Sequence, residues 1–160
     1  MRTLLLELRP IGLGDVGLAD LIKQLAEGVS GRIRAQVKVH VEGEAILPTE
    51  VKLAFYRIAQ EALNNAAKHS GADKVDIEIK SLMAAASRKK RKGTPRMFSE
   101  YVSLSIRDNG HGFDPKSVMS KHLGLEIMQE RTANLQIALS IQSKPQKGTE
   151  ILLQWTNPGK

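Results

Sequence analysis

Apolar residues recur along this chain with two periods, one near 3.6 and one of 2, and the switches between them divide it into elements. Leu18, Leu21, Ile22, Leu25 and Val29 share one helical face, which predicts a helix over Leu18–Val29 after a loop containing Gly12, Gly14 and Gly17. Gln36 to Val41 alternates, with Val37, Val39 and Val41 on one side, the pattern of a half-buried strand. Pro48-Thr49-Glu50 opens a second helix that runs to Ser70, where Gly71 stops it. Asp73–Lys80 (Val75, Ile77, Ile79) and Tyr101–Arg107 (Val102, Leu104, Ile106) alternate again and read as strands. After a Gly-rich loop at 108–114, Leu123–Leu135 is helical, and Ile137–Ile141 and Thr149–Trp155 are two final strands joined by a turn at 144–148. Residues 1–9 carry leucines at helical spacing and stop at Arg9-Pro10, as the end of a helix whose beginning is missing from the chain. Residues 81–100 have little pattern and much Lys and Arg, as an exposed insertion between two paired strands. Interleaved helix and strand signals with short or Gly-containing turns predict a mixed sheet with helices packed on one face.

Bulk properties narrow the classes. A chain of 160 residues suits one domain with its own core. No apolar run approaches the roughly 18 residues of a membrane span, and the N-terminus lacks a signal-peptide pattern. The absence of cysteine excludes disulfides, thiolate metal sites and cysteine nucleophiles, and fits a reducing cytoplasm. The net charge of +7 raises the question of nucleic acid, but much of the excess is one run, Arg88–Lys92, of the kind that usually forms a solvated tail. With one Trp, two Tyr and three Phe there is no stacking platform, so nucleic acid is not the expected partner.

The second helix carries the chemistry. Val51, Phe55, Ile58, Ala62 and Ala66 make its core face, and Glu61, Asn65 and Lys68 form a stripe along the border of that face. A solvated border would explain such a stripe as well as a polyphosphate site would, where the carboxylate positions an attacking group, the amide ligates magnesium and the ammonium meets a phosphate. Asp108-Asn109-Gly110-His111-Gly112 follows the third strand; its glycines let backbone pass close to a ligand, and its aspartate can accept from an exocyclic amine, although Asp-Asn-Gly is also ordinary turn chemistry. Leu123-Gly124-Leu125 opens a helix, where free N–H groups favour phosphate. Gly148-Thr149 leads a strand and places a hydroxyl near its start.

Each motif alone is weak, but their order is specific. Glu-x-x-x-Asn, Asp-x-Gly-x-Gly, Gly-Leu and Gly-Thr in succession resemble the Bergerat-type ATPase fold of gyrase-type topoisomerases, MutL and sensor histidine kinases. The run from Phe55 to Ser70, together with Leu125–Arg131 and the Leu8-Arg9-Pro10 stop, is similar to the catalytic domain of the NarL-partner class of sensor kinases (NarX-, DesK- and LiaS-like). The resemblance implies an α+β two-layer sandwich with a mostly antiparallel sheet. It implies ATP and Mg2+ as ligands, with Asn65 on the metal, and Glu61 orienting or activating the acceptor. Lys68 would meet the phosphates and His69 would line the nucleotide, although a satisfied, partly buried histidine fits His69 nearly as well. Asp108 would read adenine, with room from Gly110 and Gly112 and support from Thr149. Leu123, Gly124 and Leu125 would close on the phosphates.

Residues 111–123 correspond to an ATP lid. Lys116, Lys121 and His122 could touch phosphates within it, though a solvated basic loop is the safer reading, and His111 reads as lid surface. The lid is short, and His122 stands where a glycine is often found. The phosphoacceptor histidine of this class is not matched by His40, His69, His111 or His122. The expected organisation is therefore residues 1–10 as the tail of a dimerisation helix and 11–157 as an ATP-binding catalytic domain with the basic insertion at 81–100. The expected partners are a histidine-bearing dimerisation domain and a response regulator, in a cytoplasmic location with no membrane contact by this domain, although the parent kinase can be membrane-anchored. The alternative on the same fold is an ATP-dependent interaction switch or an anti-sigma-type serine kinase.

Overall fold

A computed structural model of the chain describes residues 14–83, 98–118 and 123–158. The expected helix tail at 1–10, most of the basic insertion, Lys121 and His122 lie outside the described residues. The elements are α1 (Leu18–Ser30), β1 (Gln36–Glu42), α2 (Thr49–Asn65) with a π-helical last turn (Ala66–Ser70), β2 (Lys74–Leu82), β3 (Tyr101–Asp108), α3 (Pro115–Val118), α4 (Leu123–Ala133), β4 (Ile137–Ser143) and β5 (Thr149–Thr156). They form a five-stranded sheet in the order β1-β2-β3-β5-β4. β1 and β2 run parallel, joined through α2, and the other three pairings are antiparallel. The mixed, mostly antiparallel sheet is the expected one.

The alternating patterns sort the two sheet faces. Val75, Ile77 and Ile79 of β2, Val102, Leu104 and Ile106 of β3, and Ile151, Leu153 and Trp155 of β5 are buried in one core with Ile22, Phe55, Ile58, Leu63 and Met128 of the helices. All five residues expected on the core face of α2 are buried. In α1, Leu25 is only partly buried and Ala26 takes the position against the sheet, one turn after Ile22. The opposite sheet face is polar. Its ion pairs, Lys74–Asp76, Lys80–Glu78 and the cross-strand Arg107–Glu150, are solvent-accessible and each contributes little.

Three details depart from the expected elements. The helix predicted over 49–70 is α-helical only to Asn65 and widens to a π turn over Ala66–Ser70. Ser70 gives the cause: its hydroxyl donates to the Ala66 carbonyl at 2.6 Å and accepts the Ala72 N–H at 3.1 Å, competing for groups that would otherwise close α-helical bonds. Second, Asp108 is the last residue of β3 rather than the first of the following loop, because it is paired with Val75 on one side and Thr149 on the other. Third, Lys52 is buried at 8% exposure on a helix face where a solvated lysine would be expected. Its Nζ donates to the Gly14 and Val16 carbonyls at 3.0 and 2.9 Å, fastening the loop before α1 to the start of α2.

Candidate functional site

A cavity of about 540 Å³ opens between α2, the ends of β3 and β5, and α4. Its volume is in the range of small-molecule sites, roughly 300–1,000 Å³. Glu61, Asn65, Lys68 and His69 line it from α2 and its π turn, Asp108 from β3, Thr149 from β5, Gly112 and Phe113 from the following loop, and Gly124 and Leu125 from α4. The four separate motifs thus meet at one hollow. Leu123 opens α4, where its backbone alone is described. Ile106 and Ile151 form an apolar floor, so one end of the cavity suits a flat ring and the other, with Glu61, Asn65 and Lys68, suits charge.

Glu61, Asn65 and Lys68 form no hydrogen bond or ion pair with another described residue, so their polar groups face the cavity uncommitted. The Glu61 carboxylate lies against α4: a Cβ built on Gly124 would stand 2.5 Å from Glu61 Oε1. Glycine at 124 is what lets the acid reach the first turn of that helix. Among the described residues no group of three His, Cys, Asp or Glu side chains could hold a metal ion. At the charged end of the cavity the hard donors are the Asn65 amide and the Glu61 carboxylate, one helical turn apart. That set fits a Mg2+ ion carried on a polyphosphate, with phosphate and water completing its coordination, better than an all-protein cage.

At the other end, Asp108 is 8% exposed, and burial pushes its carboxyl above the ordinary carboxylate value. The backbone N–H groups of Gly110 and Thr149 pull in the opposite direction. The Gly110 N–H donates to Asp108 Oδ1 at 2.9 Å. Gly110 was expected to give a ligand room, but it does not line the cavity, and a Cβ there would fall on the Ser70 carbonyl. Its glycine is required by close protein backbone, and its contribution to the site is the N–H that supports the aspartate. Asn109 is likewise structural: its Oδ1 accepts the N–H groups of Asp73 and Lys74 at 3.2 and 3.0 Å, pinning the start of β2 beside β3. His111 sits over Gly71 at the end of the π turn and Lys116 is exposed; neither lines the cavity.

Sequence reasoning missed Ser143 and Phe113. Phe113 walls the cavity, and its N–H donates to Ser143 Oγ at 2.9 Å. Thr149 was expected to support Asp108 directly or through water; its backbone N–H reaches the Asp108 carboxylate, and its hydroxyl lies 2.9 Å from Ser143 Oγ. Nothing in the spacing of residues 137–143 distinguishes Ser143 from any polar residue ending a strand. The turn that follows is tight. Gly148 has φ +79°, and a Cβ there would fall on the Asp108 carbonyl. Gly148→Ala is therefore expected to lower stability by roughly 3 kcal/mol or more, measured as a lower urea midpoint.

A larger hollow, about 790 Å³, lies on the bare sheet face. It contains none of the motif residues, and the Lys80 and Arg107 cations that line it are already paired with Glu78 and Glu150.

Known proteins are similar to this chain in sequence and in fold. Over 151 residues, 94% of this chain, the sequence is 35% identical to the sensor protein VraS of Staphylococcus saprophyticus and 32% identical to VraS of Staphylococcus aureus. The chain spans 39% of the length of these relatives. Among solved structures it superposes on the ATP binding domain of PrrB from Mycobacterium tuberculosis with a TM-score of 0.60 at 22% identity, covering 90% of this chain and 96% of that one. The Acinetobacter baumannii histidine kinase AdeS gives a TM-score of 0.66 at 12% identity over 89% of this chain and 66% of its own. At those identities the structural likeness is one of fold. Residues 50–158, from the first turn of α2 through β5, match the model of the histidine kinase-, DNA gyrase B-, and HSP90-like ATPases, and the chain belongs to that family.

Proposed function

We propose that this chain is the ATP-binding catalytic domain of a two-component sensor histidine kinase, transferring the γ-phosphoryl group of MgATP to a histidine on a separate dimerisation domain. The observation that carries the reading is that the Asn65 amide and the Asp108 carboxylate, the last residues of α2 and β3, line one cavity of nucleotide size. The purine lies at the apolar end, its amine on Asp108. The phosphates extend toward Lys68 and the first turn of α4, where the backbone N–H groups of Leu123, Gly124 and Leu125 have no earlier helical partner. Asn65 would hold Mg2+, which would supply charge neutralisation to the phosphates. Gly112 and Leu125 close the walls.

In the transfer step an imidazole nitrogen of the acceptor bonds to the γ-phosphorus as the bond to the β–γ bridging oxygen breaks, and ADP leaves. Little covalent help is required, so the protein positions the two partners and neutralises charge. Glu61, at the cavity edge beside α4, orients the acceptor ring and takes the proton it releases. A response regulator then draws the phosphoryl group from that histidine. No helix among the described residues is long and apolar enough to cross a membrane.

Nucleotide titration with and without Mg2+, followed by labelled-phosphate transfer, tests the proposal. ATP should bind, magnesium should tighten it, and label should appear on a histidine-bearing dimerisation segment supplied as a second chain. Label on this chain alone should be weak. Failure to bind adenine nucleotides would end the proposal. Binding that drives association with a partner but never transfers label would favour an ATP-dependent interaction switch on the same fold.

A further inference from the structure

Ser143 ends β4 directly opposite Thr149 of β5 and is buried at 8% exposure. Its hydroxyl has three neighbours. It donates to the Gly148 carbonyl at 3.0 Å, it accepts the Phe113 N–H at 2.9 Å, and it lies 2.9 Å from Thr149 Oγ1. A serine hydroxyl has one proton and two lone pairs. Gly148 takes the proton and Phe113 one lone pair, so the contact with Thr149 can be satisfied in one direction only: Thr149 donates and Ser143 accepts. The Thr149 hydroxyl consequently has no proton for the cavity it lines and offers it lone pairs alone. Beside it the Asp108 carboxylate is also an acceptor.

We propose that Ser143 is a specificity-setting residue for the nucleotide base: by consuming the Thr149 proton it makes the base-facing wall an all-acceptor surface that accepts an amino group and rejects a carbonyl. The inference rests on the assignment of the Asp108–Thr149 end of the cavity to the purine. Ser143 never touches the ligand; it acts through the hydrogen-bond direction of its neighbour. Without its hydroxyl, Thr149 Oγ1 is free to turn its proton into the cavity and donate to a carbonyl there.

The test compares ATP with ITP, which differ at purine position 6 by an amine against a carbonyl, for the wild type, Ser143→Ala, Thr149→Val and the double variant. Wild type should prefer ATP strongly. Ser143→Ala should narrow the ATP/ITP affinity ratio by about 10-fold, the scale of one hydrogen bond changing sign. In the Thr149→Val background the same change should leave that ratio nearly untouched, because the hydroxyl whose direction it sets is gone. Ser143→Thr, which keeps the hydroxyl, should restore the wild-type ratio. Should Ser143→Ala not fold, Ser143→Cys supplies a similar volume with a weaker acceptor and should move the ratio the same way. An unchanged ratio in Ser143→Ala or Ser143→Cys, or a change that persists fully without the Thr149 hydroxyl, overturns this inference and leaves the kinase reading standing. A wild type that binds neither nucleotide, or both equally, overturns the purine assignment and this inference with it.

Discussion

Asp108→Asn is expected to abolish measurable ATP binding at micromolar nucleotide while leaving the chain folded and slightly more stable at neutral pH. The two effects have one origin. The carboxylate is buried, desolvation raises its pKa, and its compensation comes from the N–H groups of Gly110 and Thr149. An acid with a raised folded-state pKa is held best when neutral. Its stabilising contribution is fully present below the unfolded value, about 3.9, and is lost as pH rises through the folded value. At pH 7 the ionised group therefore detracts from stability. The amide variant removes the charge and keeps one oxygen, whose two lone pairs can accept both the Gly110 N–H, 2.9 Å away in the wild type, and the Thr149 N–H. Its melting midpoint should match or exceed wild type at pH 7, and the gain should vanish in acid.

Binding moves the other way. The ligand amine donates to the ionised carboxylate, and a charged hydrogen bond of this kind contributes roughly 1.5–3 kcal/mol. The amide group turns an N–H toward that amine, so the loss exceeds the missing bond and should reach about 10²–10³-fold in Kd. The wild type should also lose ATP affinity as pH falls through the raised pKa of Asp108, beginning at a higher pH than an ordinary carboxylate would show. Isothermal titration across a pH series reads both effects. ATP bound equally by wild type and variant would remove Asp108 from the site, whatever its burial.

Much of this was legible in residue order because the signals were periodic. The stripes Val75-Ile77-Ile79, Val102-Leu104-Ile106 and Val51-Phe55-Ile58 each have a single way to meet a common core, and all are buried in it. The Glu61–Asn65 stripe was legible for the same reason, since i and i+4 share a face in any α-helix. What periodicity could not show were contacts made by single hydroxyls and ammonium groups with distant backbone. Ser70 turns the end of α2 into a π turn, Lys52 caps the loop at Gly14 and Val16, and Ser143 joins Phe113, Gly148 and Thr149. Each depends on two chain segments brought together by the fold. The glycines were legible as turns but not by cause: Gly110 and Gly148 are small because the Ser70 and Asp108 carbonyls lie where a Cβ would stand.

Asn65→Ala should separate metal from nucleotide. In chelator the variant should bind ATP within about 2-fold of wild type, since its purine contacts on Asp108 and Thr149 are intact. With magnesium the wild type should tighten and the variant should not. Phosphoryl transfer to a supplied dimerisation segment should fall by about 10³-fold or more, because an ion held by Asn65 would lose its protein anchor. Alanine is chosen over aspartate because a carboxylate would itself ligate the ion. The fold should tolerate the change: Asn65 closes the α-helical part of α2, its amide bonds no described residue, and alanine has the higher helix propensity by roughly 0.5 kcal/mol. A loss of transfer with normal urea stability and normal chelator-state binding therefore isolates the metal. Should the variant retain the full magnesium-dependent tightening, the ion is held elsewhere, and the uncommitted Glu61 carboxylate, one turn away on the same wall, becomes the ligand to remove next.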